Sequence, residues 1–161
     1  MNITGSLSMP TLDHKLPPPL AGALVACAMW GAGAYGPELS IAPTFKLVAV
    51  ALLCAAGAVF DLLCLLAFRS ARTTVNPLRP ERASALVTGG VYRVTRNPMY
   101  LGMALLLLAW AVYLSTALSF AGPLVFAIYI TRFQIRPEER VLKAIFGATY
   151  MAYAARVRRW L

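Results

Sequence analysis

The run MYLGMALLLLAWAVYLSTALSFAGPLVFAIYIT, residues 99–131, contains no charged side chain. At ~1.5 Å of rise per helical residue it is too long for one ordinary crossing of a ~30 Å hydrocarbon layer, and long enough for two short ones. Ser115, Thr116, Gly122 and Pro123 lie near its middle, where turn-forming residues punctuate an apolar pattern. The run predicts a helical hairpin, with spans over 98–115 and 118–135, tilted in the bilayer or partly buried in protein.

Upstream, two further spans are expected. One covers 47–68 and is interrupted only by Asp61; the other covers 16–37, free of charge between Lys15 and Glu38. Pro17, Pro18 and Pro19 suit a helix start, where a missing N–H is harmless. No basic cluster precedes this segment, as a signal peptide would require. Composition agrees: of 161 residues 60% are hydrophobic and 13% charged, and the mean hydropathy is +0.68. A soluble domain averages roughly 45–50% apolar residues and about 25% charged ones. The chain is expected to be an all-α integral membrane bundle forming a single domain, 1–161.

The net charge of +9 is localised. Six arginines fall in the 69–97 loop against the single acid Glu81, whereas the connection after the first span carries only Glu38 and Lys46. Cytoplasmic loops concentrate Lys and Arg, so both termini and the 69–97 loop are expected in the cytoplasm, at a bacterial inner membrane. The same charges suit anionic lipid headgroups. No nucleic-acid-binding motif accompanies them, so nucleic acid is not an expected partner. Cys27, Cys54 and Cys64 sit singly in apolar runs, without the paired spacing of a metal site, and no metal is expected. Gly31-Ala32-Gly33-Ala34-Tyr35-Gly36 matches G-x-G-x-x-G, but with no strand before it the glycines read as helix-packing residues.

Residues 136–161 change pattern. Val141, Leu142, Ile145 and Phe146 recur at helical spacing among Glu138, Glu139, Arg140 and Lys143, and a second amphipathic stretch follows through Tyr150, Tyr153, Val157 and Trp160. This is the composition of a helical cap along the membrane surface.

Three polar features stand out. Asp61 lies inside a span, where an acid either has a structural role, packed or paired with an arginine such as Arg132, or faces a polar cavity. Thr88-Gly89-Gly90-Val91-Tyr92-Arg93-Val94-Thr95-Arg96-Asn97-Pro98-Met99-Tyr100-Leu101-Gly102 runs from a polar turn into a membrane helix. Asn97 as N-cap and Pro98 as first helical residue explain part of it, but not Tyr92 and Tyr100. Finally, Arg136-Pro137-Glu138-Glu139-Arg140 places two acids at the end of the apolar hairpin. They either complement the dipole of a helix starting at Pro137 or belong to a site.

Together, Arg96-Asn97-Pro98-Met99-Tyr100-Leu101-Gly102, Glu138-Glu139-Arg140 and Phe146-Gly147-Ala148-Thr149-Tyr150 with Tyr153 resemble the isoprenylcysteine carboxyl methyltransferase and phospholipid N-methyltransferase superfamily. Its members carry R-H-P-x-Y-x-G at the start of a membrane helix, a Glu-Glu pair after a hairpin, then F-G-x-x-Y-x-x-Y. The resemblance covers residues 84–160, and the tail Arg156-Val157-Arg158-Arg159-Trp160-Leu161 looks like that of a short bacterial branch, some members of which are linked to heavy-metal resistance operons. It implies an S-adenosylmethionine-dependent methyltransferase acting on a lipophilic small molecule or lipid that enters from the bilayer. Tyr92, Asn97, Tyr100, Leu101, Gly102, Glu138 and Glu139 are the implied cofactor residues. A carboxylate acceptor needs no base and can be oriented by Arg96; an amine needs one, and Glu139 is the candidate. Asn97 stands where the family has His; it can donate and accept hydrogen bonds but takes up no proton near neutrality. Two other classes fit the composition: a small transporter or channel subunit using Asp61, and a lipid-binding scaffold without activity.

Overall fold

The computed structural model describes residues 16–70 and 85–161; the N-terminal segment and the central part of the 69–97 loop, 71–84, lie outside them. Among the described residues the architecture is all-α. Helix α1 spans Pro18–Gly33, α2 Pro43–Ser70, α3 Pro98–Leu114, α4 Ala121–Ile130 and α5 Arg136–Arg156. Two helical stretches are long and apolar enough to cross a membrane, Pro43–Ser70 and Ala117–Arg156, while α1 and α3 are shorter apolar helices. Outward-facing side chains such as Leu52, Leu62, Leu124 and Ile128 are largely exposed. In water that surface would drive association; lipid removes the penalty. This is a helical membrane protein.

Small residues set the helix crossings. The most extensive packing is between α2 and α3. A Cβ placed on Gly57 would sit 3.0 Å from the Gly102 carbonyl, and one on Gly102 would meet Asp61 Oδ1 at 2.5 Å and the Gly57 carbonyl at 3.0 Å. Backbones approach that closely only where both partners lack side chains. On the opposite flank, Gly122 of α4 gives way to Met29 of α1, and Trp110 Nε1 of α3 donates to the Ala26 carbonyl at 3.1 Å. The core between α1, α3 and α4 holds Ala21, Met29, Leu107, Ala111, Phe126 and Ile130.

Ser115, in left-handed conformation, ends α3. The α1–α2 connection is bonded to the turn that follows, through Leu39 N–H to the Ser115 carbonyl (2.7 Å) and Ala117 N–H to the Pro37 carbonyl (3.1 Å). Gly33 and Gly36 of the G-x-G-x-x-G stretch pack here, against Thr116 and Leu118 respectively. That junction defines one end of the bundle; the C-terminal ends of α2 and α4, with residues 88–97 and α5, form the other.

Two local expectations need correcting. No helix begins at Pro137: α4 continues through a π-helical turn, Thr131–Ile135, into α5 without leaving helical backbone. A wide π turn accommodates a proline that lacks the N–H an α-helix would use. The break comes instead at Gly147 (φ 49°, ψ −123°), a conformation that side-chain-bearing residues avoid. Asn97 does occupy the N-cap position of α3, but its side chain makes no capping bond, because its amide is used elsewhere.

Candidate functional site

The second end of the bundle gathers the polar residues of both motif stretches. Pro98 starts α3 directly after Arg96 and Asn97, while the π turn keeps Gln134 and Glu138 one turn apart on a continuous helix. Tyr100 Oη donates to Glu138 Oε1 at 2.6 Å, and Gln134 Nε2 donates to the same oxygen at 2.8 Å. Burial pushes the Glu138 carboxyl up to about 7, against these two hydrogen bonds, which favour its charged form.

Glu139, the adjacent residue, is held differently. Arg159 grips it with a two-pronged contact, Nε to Oε1 at 3.0 Å and Nη2 to Oε2 at 2.7 Å. Arg96 Nη1 lies 3.1 Å from Oε1 and also donates to Tyr150 Oη at 3.2 Å. Two guanidiniums thus surround one carboxylate. Arg96 Nε is buried with no hydrogen-bond partner among the described residues, and an unmet donor of a charged group is costly. Asn97 Nδ2 donates to the Arg159 carbonyl at 2.9 Å.

Tyr92 stands to one side. It belongs to a short 3₁₀ turn, Gly90–Arg93. Its hydroxyl meets Cys64 Sγ of α2 at 3.2 Å, its ring stands edge-on to Phe68, and its carbonyl accepts from Tyr153 Oη at 2.8 Å. Burial raises the Tyr92, Tyr150 and Tyr153 phenols, which stay protonated. Leu101 is buried in the packing of α3, and Gly102 faces α2 rather than the glutamates. Asp61 Oδ1 is buried against Gly102 with no hydrogen bond among the described residues, the packing arrangement rather than a pair with an arginine such as Arg132. Next to the cluster, Thr88, Gly89, Arg93, Tyr153, Arg156 and Val157 line an open cleft of about 410 Å³. None of Asn97, Tyr100, Glu138 or Glu139 lines it.

The arrangement therefore joins Arg96, Asn97, Tyr100, Glu138 and Glu139, and adds Gln134, Tyr150 and Arg159. Gln134 was detectable as a polar residue four before Glu138 on one helical face. Arg159 was not: it reaches Glu139 only because the chain leaves the helix at Val157.

Residues 45–149 match the phospholipid methyltransferase family. An uncharacterized protein of Haemophilus influenzae is 44% identical over 63 residues, 39% of this chain and 100% of that protein. Protein-S-isoprenylcysteine O-methyltransferase B of Arabidopsis thaliana is 37% identical over 91 residues, 53% of this chain and 43% of its own length. The A form from the same plant is 37% identical over 83 residues, 48% of this chain and 39% of its own. The chain thus spans less than half the length of either plant enzyme. With the family matched over most of its length and the arginine and glutamate stretches folded against each other, this membrane protein belongs to the phospholipid methyltransferase family, in the superfamily shared with the isoprenylcysteine O-methyltransferases.

Proposed function

We propose that this chain is an S-adenosylmethionine-dependent methyltransferase whose cofactor and lipophilic acceptor meet at the Arg96–Glu139 end of the bundle. The observation that carries the reading is the 3.1 Å approach of Arg96 to Glu139, which joins the two motif stretches, beside a buried Arg96 Nε with no partner among the described residues. The residues fit the cofactor's chemistry. A carboxylate suits the open Arg96 donor, and an ammonium and a ribose diol suit the Asn97 oxygen and the glutamates. S-adenosylmethionine supplies a methyl group on a sulfonium, ready for in-line displacement; much of the catalysis then lies in positioning.

The acceptor is a carboxylate on a lipophilic body. On the Glu139 side two guanidiniums face one carboxylate, which favours an anion there over an amine, while Glu138 supplies the second carboxyl on the Tyr100 side. For an amine acceptor the base would be Glu138, not Glu139: both Glu139 oxygens are held by guanidiniums, while the Glu138 carboxyl titrates near neutrality. In this reading all four apolar segments cross a bacterial inner membrane, with both termini and the 69–97 loop in the cytoplasm.

The test is transfer of labelled methyl from S-adenosylmethionine into the lipid fraction of membranes enriched in the protein. Base-labile label, released as methanol from a methyl ester, is the expected result. Base-stable label would shift the acceptor to an amine, and no label above control membranes would contradict the function.

A further inference from the structure

After α5 the chain turns extended at Val157 (φ −118°, ψ 132°) and lies across the start of α3. Arg96 N–H donates to the Arg158 carbonyl at 3.0 Å. The Arg159 carbonyl accepts from two side chains, Thr95 Oγ1 at 3.2 Å and Asn97 Nδ2 at 2.9 Å. Trp160 Nε1 anchors the far end on Thr131 Oγ1 at 3.1 Å. Thr95 is fully buried beneath this segment.

An amide that faces a carbonyl must present its NH2 group, so its oxygen points the other way. The Arg159 carbonyl therefore decides which end of Asn97 is free. Released from it, Asn97 could turn over and offer a donor where the site needs an acceptor. We propose that residues 157–161 form a positioning strap: the Arg159 backbone carbonyl orients Asn97 so that Oδ1 faces the cofactor's ammonium, while the Arg159 side chain separately holds Glu139. Arg159 is a positioning residue here, acting on the ligand through Asn97 and Glu139. The inference rests on the cofactor reading above.

The two actions of Arg159 separate cleanly. Arg159→Ala removes the grip on Glu139 and keeps the carbonyl, so it serves as the reference. Affinity for S-adenosylhomocysteine is measured by calorimetry in detergent for four proteins: Arg159→Ala, Arg159→Ala with Asn97→Ala, deletion of 157–161, and that deletion with Asn97→Ala. Deleting the strap should weaken binding about tenfold relative to Arg159→Ala, the scale of one hydrogen bond to a charged group. Where Asn97 is already alanine the same deletion should change affinity less than about threefold, because contacting residues are not additive. Equal losses in both backgrounds, or no loss in either, would overturn the strap.

If the deletion does not fold, Asn97→His in the full chain carries the test. A neutral imidazole can donate to the Arg159 carbonyl and accept with its other nitrogen; a protonated one cannot accept. Binding should match the parent above pH ~6.5 and fall away from the parent below it. A profile parallel to the parent's would reject the orientation. A parent chain that binds S-adenosylhomocysteine while these variants fail their predictions removes the strap alone; a parent that does not bind removes the cofactor reading and the strap with it.

Discussion

The two ends of the bundle are closed by different chemistry. At the Ser115 end, backbone groups of the α1–α2 connection bond the α3–α4 turn, and Thr116 Oγ1 meets Ser119 Oγ at 2.6 Å. Small neutral groups satisfy one another there. At the Glu139 end the chain is joined by guanidinium, carboxylate and phenol side chains from three segments, and Arg96 Nε is left buried without a partner among the described residues. One end is finished by the fold; the other holds expensive groups in a partly satisfied state, which folding alone does not reward. Under the proposed reading that contrast separates scaffold from site in a helical membrane protein, whose apolar middle says little about chemistry.

Attacking the scaffold should give the largest effect. Gly102→Leu forces a branched side chain into the crossing with Gly57 and Asp61, and is expected to destabilise the protein by about 3 kcal/mol, seen as a lower unfolding midpoint in detergent. A pH-dependent effect marks the proposed site end. Because the folded Glu138 carboxyl titrates near 7 rather than its ordinary 4.5, the folded state holds the proton more tightly than the unfolded chain. Its contribution is fully present below pH ~4.5 and is lost as pH rises through about 7. Glu138→Gln should flatten that part of the stability profile; an unchanged slope would put the titrating group elsewhere. Smallest of the three, Ser119→Ala at the closed end should lower stability by about 1 kcal/mol and leave ligand affinity as it was. A change in affinity would erase the distinction between the ends.

Much of this was readable in the chain. The charge-free run over 99–131, with Ser115 and Thr116 at its middle, specifies a hairpin because lipid tolerates nothing else there. The arginine and glutamate stretches could be identified as partners only through a family resemblance, since nothing in the spacing of Arg96 and Glu139 brings them within 3.1 Å. Pro137 misled because its usual place is a helix start, and a π turn is a tertiary accommodation without a sequence signature of its own. Asn97 misled for a related reason: an N-cap preference of about 1 kcal/mol yielded to the carbonyl of a residue 62 positions away. Asp61 reads from sequence as either structural or functional, and its Oδ1 packs on Gly102, a glycine whose place in the crossing only the folded pair reveals.

The central claim is that the Glu138–Glu139 end binds S-adenosylmethionine. Its most direct test is calorimetric titration of the purified protein with S-adenosylhomocysteine, run in parallel on Glu138→Gln and Glu139→Gln with melting curves on each. The parent should bind, and each variant should lose about ten- to more than a hundredfold in affinity, the equivalent of ~1.5–3 kcal/mol for a hydrogen bond to a charged group. A parent that does not bind, or variants that melt lower yet bind as the parent does, would contradict it.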